Sequence, residues 1–170
     1  MIYFKSLTSL SVDQKIKFIQ WKKDEKLSEL IMSEARKMTI EDIDSWILKN
    51  TNDRNQFFKC VCRSSDDEII GLARLMYIDY DSKNAEVGLY IGNENDRNKN
   101  LGYEIISKLI DTARTDFKLN KIIAKINELN HASIKLFLKH DFIKEGNLKK
   151  HFYSSVNDNY FDVFIYSKFL

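Results

Sequence analysis

The sequence predicts an α/β domain whose central sheet is mostly antiparallel, flanked by about four helices and holding one parallel strand pair. Three observations predict it. The chain has 170 residues, 44% of them apolar, which suits one sizeable core. Strand-like segments at 56–64, 68–78 and 85–91 are separated only by short polar turns, Asp66-Asp67 and 81–84. Such turns join neighbours antiparallel. A long amphipathic segment, 101–117, then separates strand 85–91 from strand 121–126, a crossover long enough to permit a parallel pair.

Each element has a local signature. Residues 2–6 alternate enough for a first strand. Ser11 with Gln14 three residues on makes a capping box ahead of Ile16, Phe18, Ile19 and Trp21, and Thr39 opens a second helix bearing Ile43, Trp46 and Ile47. The charged, weakly patterned stretch between them, 22–37, reads as mixed helix and loop. In segment 101–117, Ile105, Leu109 and Ala113 repeat in steps of four, with Ile106 and Ile110 beside them. Asn130 caps a last helix through Ile134, Phe137 and Leu138, and from Phe142 the chain returns to strands, the last over 160–169.

Composition narrows the function classes. Net charge is +2, so charge does not ask for a nucleic-acid partner. No apolar run approaches the roughly 20 residues that span a bilayer, and residues 1–5 do not read as a signal peptide. Cys60 and Cys62 sit on one face of a strand, awkward for a mutual disulfide; free thiols in a reducing, cytoplasmic setting are expected. His131, His140 and His151 lack metal-ligand spacing, so no metal is expected. There is no proline and hence no proline-stiffened linker.

The chemistry-bearing stretch is strand 85–91, the loop Arg97-Asn98-Lys99-Asn100, and Leu101-Gly102-Tyr103 opening the longest helix. A helix N-terminus offers free N–H groups and the positive end of a dipole, which suits a phosphate. Arg97 and Lys99 add charge, Gly102 permits close approach, and Asn100 tolerates a left-handed backbone.

These residues resemble the GNAT superfamily of acetyl-CoA-dependent N-acetyltransferases. Arg97 through Gly102 is similar to that family's Arg/Gln-x-x-Gly-x-Gly/Ala loop, departing from it at Asn100. Ile69-Ile70-Gly71-Leu72 resembles a family strand opening, Trp21-Lys22-Lys23-Asp24 the opening of one broad branch, and the stretch from Asn130 to Phe142 the segment Asn-x-x-Ala-x-x-Leu-Tyr-x-x-x-Gly-Phe. The resemblance implies one domain over 1–170, with acceptor-side helices in 1–55 and an acetyl-CoA-binding core in 56–170, the parallel pair lying at the cofactor cleft. It implies that the backbone of Leu89, Tyr90 and Ile91 meets the pantetheine arm, that the amides of Arg97, Asn98, Lys99, Asn100, Leu101, Gly102 and Tyr103 hold the pyrophosphate, and that Asn130 contacts the arm or the amine channel.

An alkylamine attacks a thioester only when neutral, so the reaction needs a proton acceptor. Glu86, on an otherwise apolar strand, sits where some relatives carry that base. The tyrosine that often protonates the departing thiolate in this family is matched by Phe137, which has no proton to give. Trp21, Tyr153 and Tyr160 are candidate linings of the acceptor groove, since aromatic faces suit sugar rings or bases. The expected acceptor is a small-molecule primary amine, with a nucleotide-linked amino sugar foremost. Protein N-termini of the ribosomal-protein type and polyamines are alternatives, and a non-catalytic acyl-CoA-binding module is the alternative of another class. No nucleic-acid or membrane partner is expected; a homodimer is left open.

Overall fold

A computed structural model describes every residue except Glu34 and Asn98. In chain order the elements are β1 (Ile2–Ser6), α1 (Val12–Lys23), α2 (Glu25–Leu30), α3 (Ile40–Thr51), β2 (Phe57–Arg63), β3 (Ile69–Asp79), β4 (Asn84–Ile91), α4 (Leu101–Thr115), β5 (Lys121–Asn127), α5 (His131–Leu138), β6 (Ile143–Ser154) and β7 (Asn159–Phe169). Short 3-10 turns, Leu7–Ser9 and Glu94–Asp96, follow β1 and β4.

The strands form one seven-stranded sheet in the order β1-β2-β3-β4-β5-β7-β6. Every neighbouring pair is antiparallel except β4 and β5. The expected mixed sheet with one parallel pair is therefore present. Five α-helices flank it where about four were expected. The extra one is α2, a six-residue helix inside the stretch read as mixed helix and loop. It forms because Asp24 both ends α1 and caps α2, its carboxylate accepting the Leu27 N–H at 2.9 Å.

The expected capping box at Ser11 and the expected cap at Thr39 are in place, and the second also proves to be a capping box. Ser11 and Gln14 exchange side-chain and main-chain hydrogen bonds at the head of α1; Thr39 and Asp42 do the same at α3.

The period-2 strands and period-3.6 helices divide the core between the two faces of the sheet. On one face Ile105, Ile106, Leu109 and Ala113 of α4 and Phe137 of α5 pack against Ala73, Leu75, Ala85, Val87 and Ile122. On the other, Phe18, Trp21, Leu27, Ile43 and Ile47 from α1, α2 and α3 pack against Cys60, Cys62, Leu72, Met76 and Tyr90. Each fully buried Ile or Leu contributes on the order of 2 kcal/mol of transfer free energy, so both helical layers are held mainly by apolar burial. Cys60 and Cys62 are buried free thiols on the same face. No helix of the described residues is long and apolar enough to cross a membrane.

One irregularity positions the site. β4 and β5 pair only over Asn84↔Lys121, Ala85↔Ile122 and Glu86↔Ile123. Beyond Glu86, β4 stays paired with β3 as far as Ile91, and β5 stays paired with β7 as far as Asn127. The sheet therefore opens into a V, leaving the β5-facing main chain of residues 87–91 without a strand partner.

Candidate active site

Strand alternation places Glu86, Gly88 and Tyr90 on the α1–α3 face of β4, while Val87, Leu89 and Ile91 point toward α4. Leu89 and Ile91 can therefore present only main-chain groups to the cleft. Glu86 stands at the last paired rung, at the apex of the V. Lys125 Nζ lies 2.9 Å from its Oε2, with the Glu86 side chain 19% exposed and that of Lys125 41% exposed. Glu86 is thus held by Lys125 at the edge of the cleft, with part of its side chain open to solvent.

The tip of β4 leads to the N-terminus of α4, and this end differs from the other four helices. Ser11, Asp24, Thr39 and Asn130 all cap their helices through side-chain oxygens. Asn100 at the head of α4 makes no such bond and sits in the left-handed region, φ 62° and ψ 4°. Its side chain leaves the first-turn amides of Leu101, Gly102 and Tyr103 uncapped, with the positive end of the dipole behind them. An anionic group such as a phosphate is the natural partner of such a terminus.

The loop before α4 is tightly braced. Arg97 turns back on the strand, its Nε donating to the Ile91 carbonyl at 3.3 Å and an Nη to the Gly92 carbonyl at 3.0 Å. Asp96, 6% exposed, accepts from Arg63 at 2.9 Å and lies 3.8 Å from the Lys99 ammonium. Gly102 lets α5 approach: a Cβ there would stand 3.0 Å from the Leu136 side chain. Leu101 is half-buried against the core, and Tyr103, 41% exposed, stacks on His140 with ring centroids 4.1 Å apart. Asn98 lies outside the described residues.

The remaining sequence-derived residues are spread more widely. Trp21 is only 5% exposed. Its ring covers Gly92, where any Cβ would fall inside the indole, meets Tyr90 edge-on, and its Nε1 donates to Asn93 Oδ1 at 3.2 Å. It therefore lies beneath the strand tip and fixes the loop. Asn130 caps α5 by accepting the Ser133 N–H and donates to the Leu30 carbonyl at 3.1 Å, tying α2 to the far wall of the V. Asn127 does likewise with the Glu29 carbonyl at 3.3 Å. Tyr153 and Tyr160, on adjacent β6 and β7, are 47% and 56% exposed, with ring centroids 5.1 Å apart and planes tilted by 53°; the Tyr153 hydroxyl donates to Asp158.

Phe137 is 3% exposed and packs edge-on against Phe142 in the core. Nearby, Asp141 takes φ 60° where the resembled segment has glycine. Among the described residues no group of three His, Cys, Asp or Glu is placed to hold a metal. Sequence reasoning did not single out Asp96, Lys125, Arg74 or Lys22 as partners in this region. Only cross-strand register and the packing of α1 bring them there, and neither is encoded locally.

Residues 7–143 match the family model described as acetyltransferase (GNAT) domain. The uncharacterised N-acetyltransferase p20 of Bacillus licheniformis is 34% identical over 136 residues, covering 80% of this chain and 72% of that protein. Among solved structures, spermidine N-acetyltransferase from Vibrio cholerae in complex with CoA and spermine is similar with TM-score 0.87 at 19% identity, covering 99% of this chain and 95% of that one. A mutant of the Vibrio cholerae spermidine N-acetyltransferase SpeG is similar with TM-score 0.81 at 18% identity, covering 99% and 93%. At such identities these structures bear on the fold alone.

Proposed function

This chain belongs to the GNAT acetyltransferase family and is an acetyl-CoA-dependent N-acetyltransferase acting on amines, and we propose that its acceptor is the primary amine of a small molecule, with a nucleotide-linked amino sugar the foremost candidate. The observation that carries the reading is the parting of β4 from β5 immediately beside Glu86. It brings an unpaired main-chain ribbon, an uncapped helix N-terminus and a carboxylate to one cleft.

Acetyl-CoA supplies the thioester carbonyl. The chain's own part is positioning and proton handling. The amides of residues 99–103 hold the pyrophosphate, and the β5-facing main chain of 87–91 aligns the arm, with an N–H near Leu89 or Tyr90 directed at the carbonyl oxygen. Glu86 receives the proton of the incoming ammonium, directly or through water, while Lys125 orients its carboxylate. No side chain at position 137 can protonate the departing sulfur, and the thiolate, with an ordinary pKa near 8.5, leaves unprotonated or takes a proton from water. The exposed Tyr153–Tyr160 pair supports an acceptor with a ring to stack. The buried free thiols support a reducing compartment.

Thiol release from acetyl-CoA across a panel of primary amines, with Glu86→Gln as control, tests the proposal. Turnover of small amines by the wild type, lost in the variant while CoA still binds, supports it. CoA binding without turnover of any amine favours a non-catalytic acyl-CoA-binding module, and acetylation confined to peptide N-termini favours the protein-acetylating alternative.

A further inference from the structure

The face of the sheet that carries Glu86 also carries a cationic group, Arg74, with no salt bridge among the described residues. Arg74 on β3 is the cross-strand partner of Gly88. Because Gly88 has no side chain, the guanidinium lies across the β4 backbone; a Cβ there would stand 2.8 Å from Nε and 3.4 Å from a terminal nitrogen. Arg74 Nε is buried without a hydrogen-bond partner, and so is the hydroxyl of Tyr90 two residues along β4. Glu86 lies near enough to attract Arg74 but is ion-paired to Lys125.

A second cation stands beside the first. Lys22, at the last turn of α1, is half-buried and has no acidic partner among the described residues. Burial, then repulsion from Arg74 and Arg36, pulls its ammonium down to about 8. The main-chain N–H of Arg36 donates to the Lys22 carbonyl at 2.9 Å, which closes the loop after α2 over this corner. Burying two cations side by side with no ion-pair partner among the described residues is costly, and proteins rarely leave such groups so unless a ligand supplies the missing charge.

We propose that Arg74 and Lys22, with the Tyr90 hydroxyl, form a recognition site for an anionic group on the acceptor, so that the amine substrate carries a carboxylate or phosphate and a linear polyamine is disfavoured. This rests on the reading that the amine approaches Glu86 from the α1–α3 face. The guanidinium gives a planar fork suited to either oxyanion, and the ammonium adds a point charge at its edge. A polycation would meet the same two charges with the wrong sign.

Matched amines test it: glucosamine against glucosamine 6-phosphate for a phosphate, and β-alaninamide against β-alanine for a carboxylate, with spermidine as the polycation. A charge-assisted hydrogen bond sets the expected scale, so the preferred anionic member should exceed its neutral match in kcat/KM by about tenfold or more. Arg74→Met should collapse that ratio through KM for the anionic member, and Arg74→Lys should restore part of it. If the wild type favours the neutral amines or spermidine, or if the ratio survives Arg74→Met, the proposal is wrong. Should Arg74→Met not fold, Lys22→Met at the rim is read the same way. If CoA binds but no amine is turned over, the catalytic reading fails separately. The anion site is then judged by calorimetric titration of glucosamine 6-phosphate into the CoA-saturated protein: binding lost in the variants supports it, and no binding to the wild type overturns it.

Discussion

Glu86 and Lys125 meet where β4 and β5 separate, with Lys125 Nζ 2.9 Å from Glu86 Oε2, two residues beyond the last paired position on β5. The bond ties the two arms of the V together just beyond its apex. Partly exposed pairs of this kind contribute roughly 0–1 kcal/mol to stability, because solvent screens them. A general base contributes about 10²–10⁴-fold to rate. Glu86→Gln should therefore lower kcat/KM by about 10²-fold or more while shifting the unfolding free energy by less than about 1 kcal/mol, checked by steady-state kinetics beside urea denaturation. A large stability loss with little change in rate would make Glu86 a structural residue.

Asn100 offers a test of the helix N-terminus. An L-residue at φ 62° is strained by about 1 kcal/mol relative to glycine, and asparagine bears this better than alanine. Asn100→Gly is expected to match or exceed the wild type in melting temperature. Asn100→Ala should lose about 1 kcal/mol and weaken CoA binding, because the loop must shift to relieve the strain. Thermal melts and CoA calorimetry on the two variants decide it.

The ammonium of Lys22 carries a pH signature. Its ordinary value is 10.5 and the folded value is about 8. Below pH 8 the group is protonated in both states, and the folded state bears the full cost of a desolvated charge beside Arg74. As pH rises from 8 to 10.5 the unfolded state binds more protons than the folded one, so this group makes stability increase with pH. Lys22→Met should then be more stable than the wild type at pH 7 by on the order of 2 kcal/mol, a gap that narrows toward pH 10.5. Urea unfolding of both proteins across that range measures the difference directly.

The two cysteines should be chemically silent in the native state. Burial pushes the Cys60 thiol up to about 12 and raises that of Cys62, so neither supplies thiolate near pH 8. A disulfide reagent such as DTNB should label neither until denaturant is added, then both. Rapid native labelling would mean that the face of the sheet under α1 and α3 opens.

Much of this fold is written locally. Ser11 with Gln14, and Thr39 with Asp42, mark helix starts within four residues. The step-of-four pattern of Ile105, Leu109 and Ala113 locates the helix that covers one face. The left-handed bend at Asn100 was legible because few residues tolerate it. What was not legible depends on partners distant in sequence. Lys125 reaches Glu86 only because the parallel register stops at Ile123, and Arg74 overlies Gly88 only because β3 and β4 pair in that register. In sequence, Trp21 at a helix end looks the same whether its ring faces a ligand or a glycine. The Gly92 contact, 71 residues on, settles where its ring lies. α2 was only half visible because six residues are too few to show a period.

The most direct measurement is a structure of the protein with CoA bound. The pantetheine arm is expected along residues 87–91 inside the V, the pyrophosphate against the amides of Leu101, Gly102 and Tyr103, and the sulfur within reach of a molecule held beside Glu86. CoA bound elsewhere on the molecule, or a cleft that closes with β4 and β5 paired through Ile91, would contradict it.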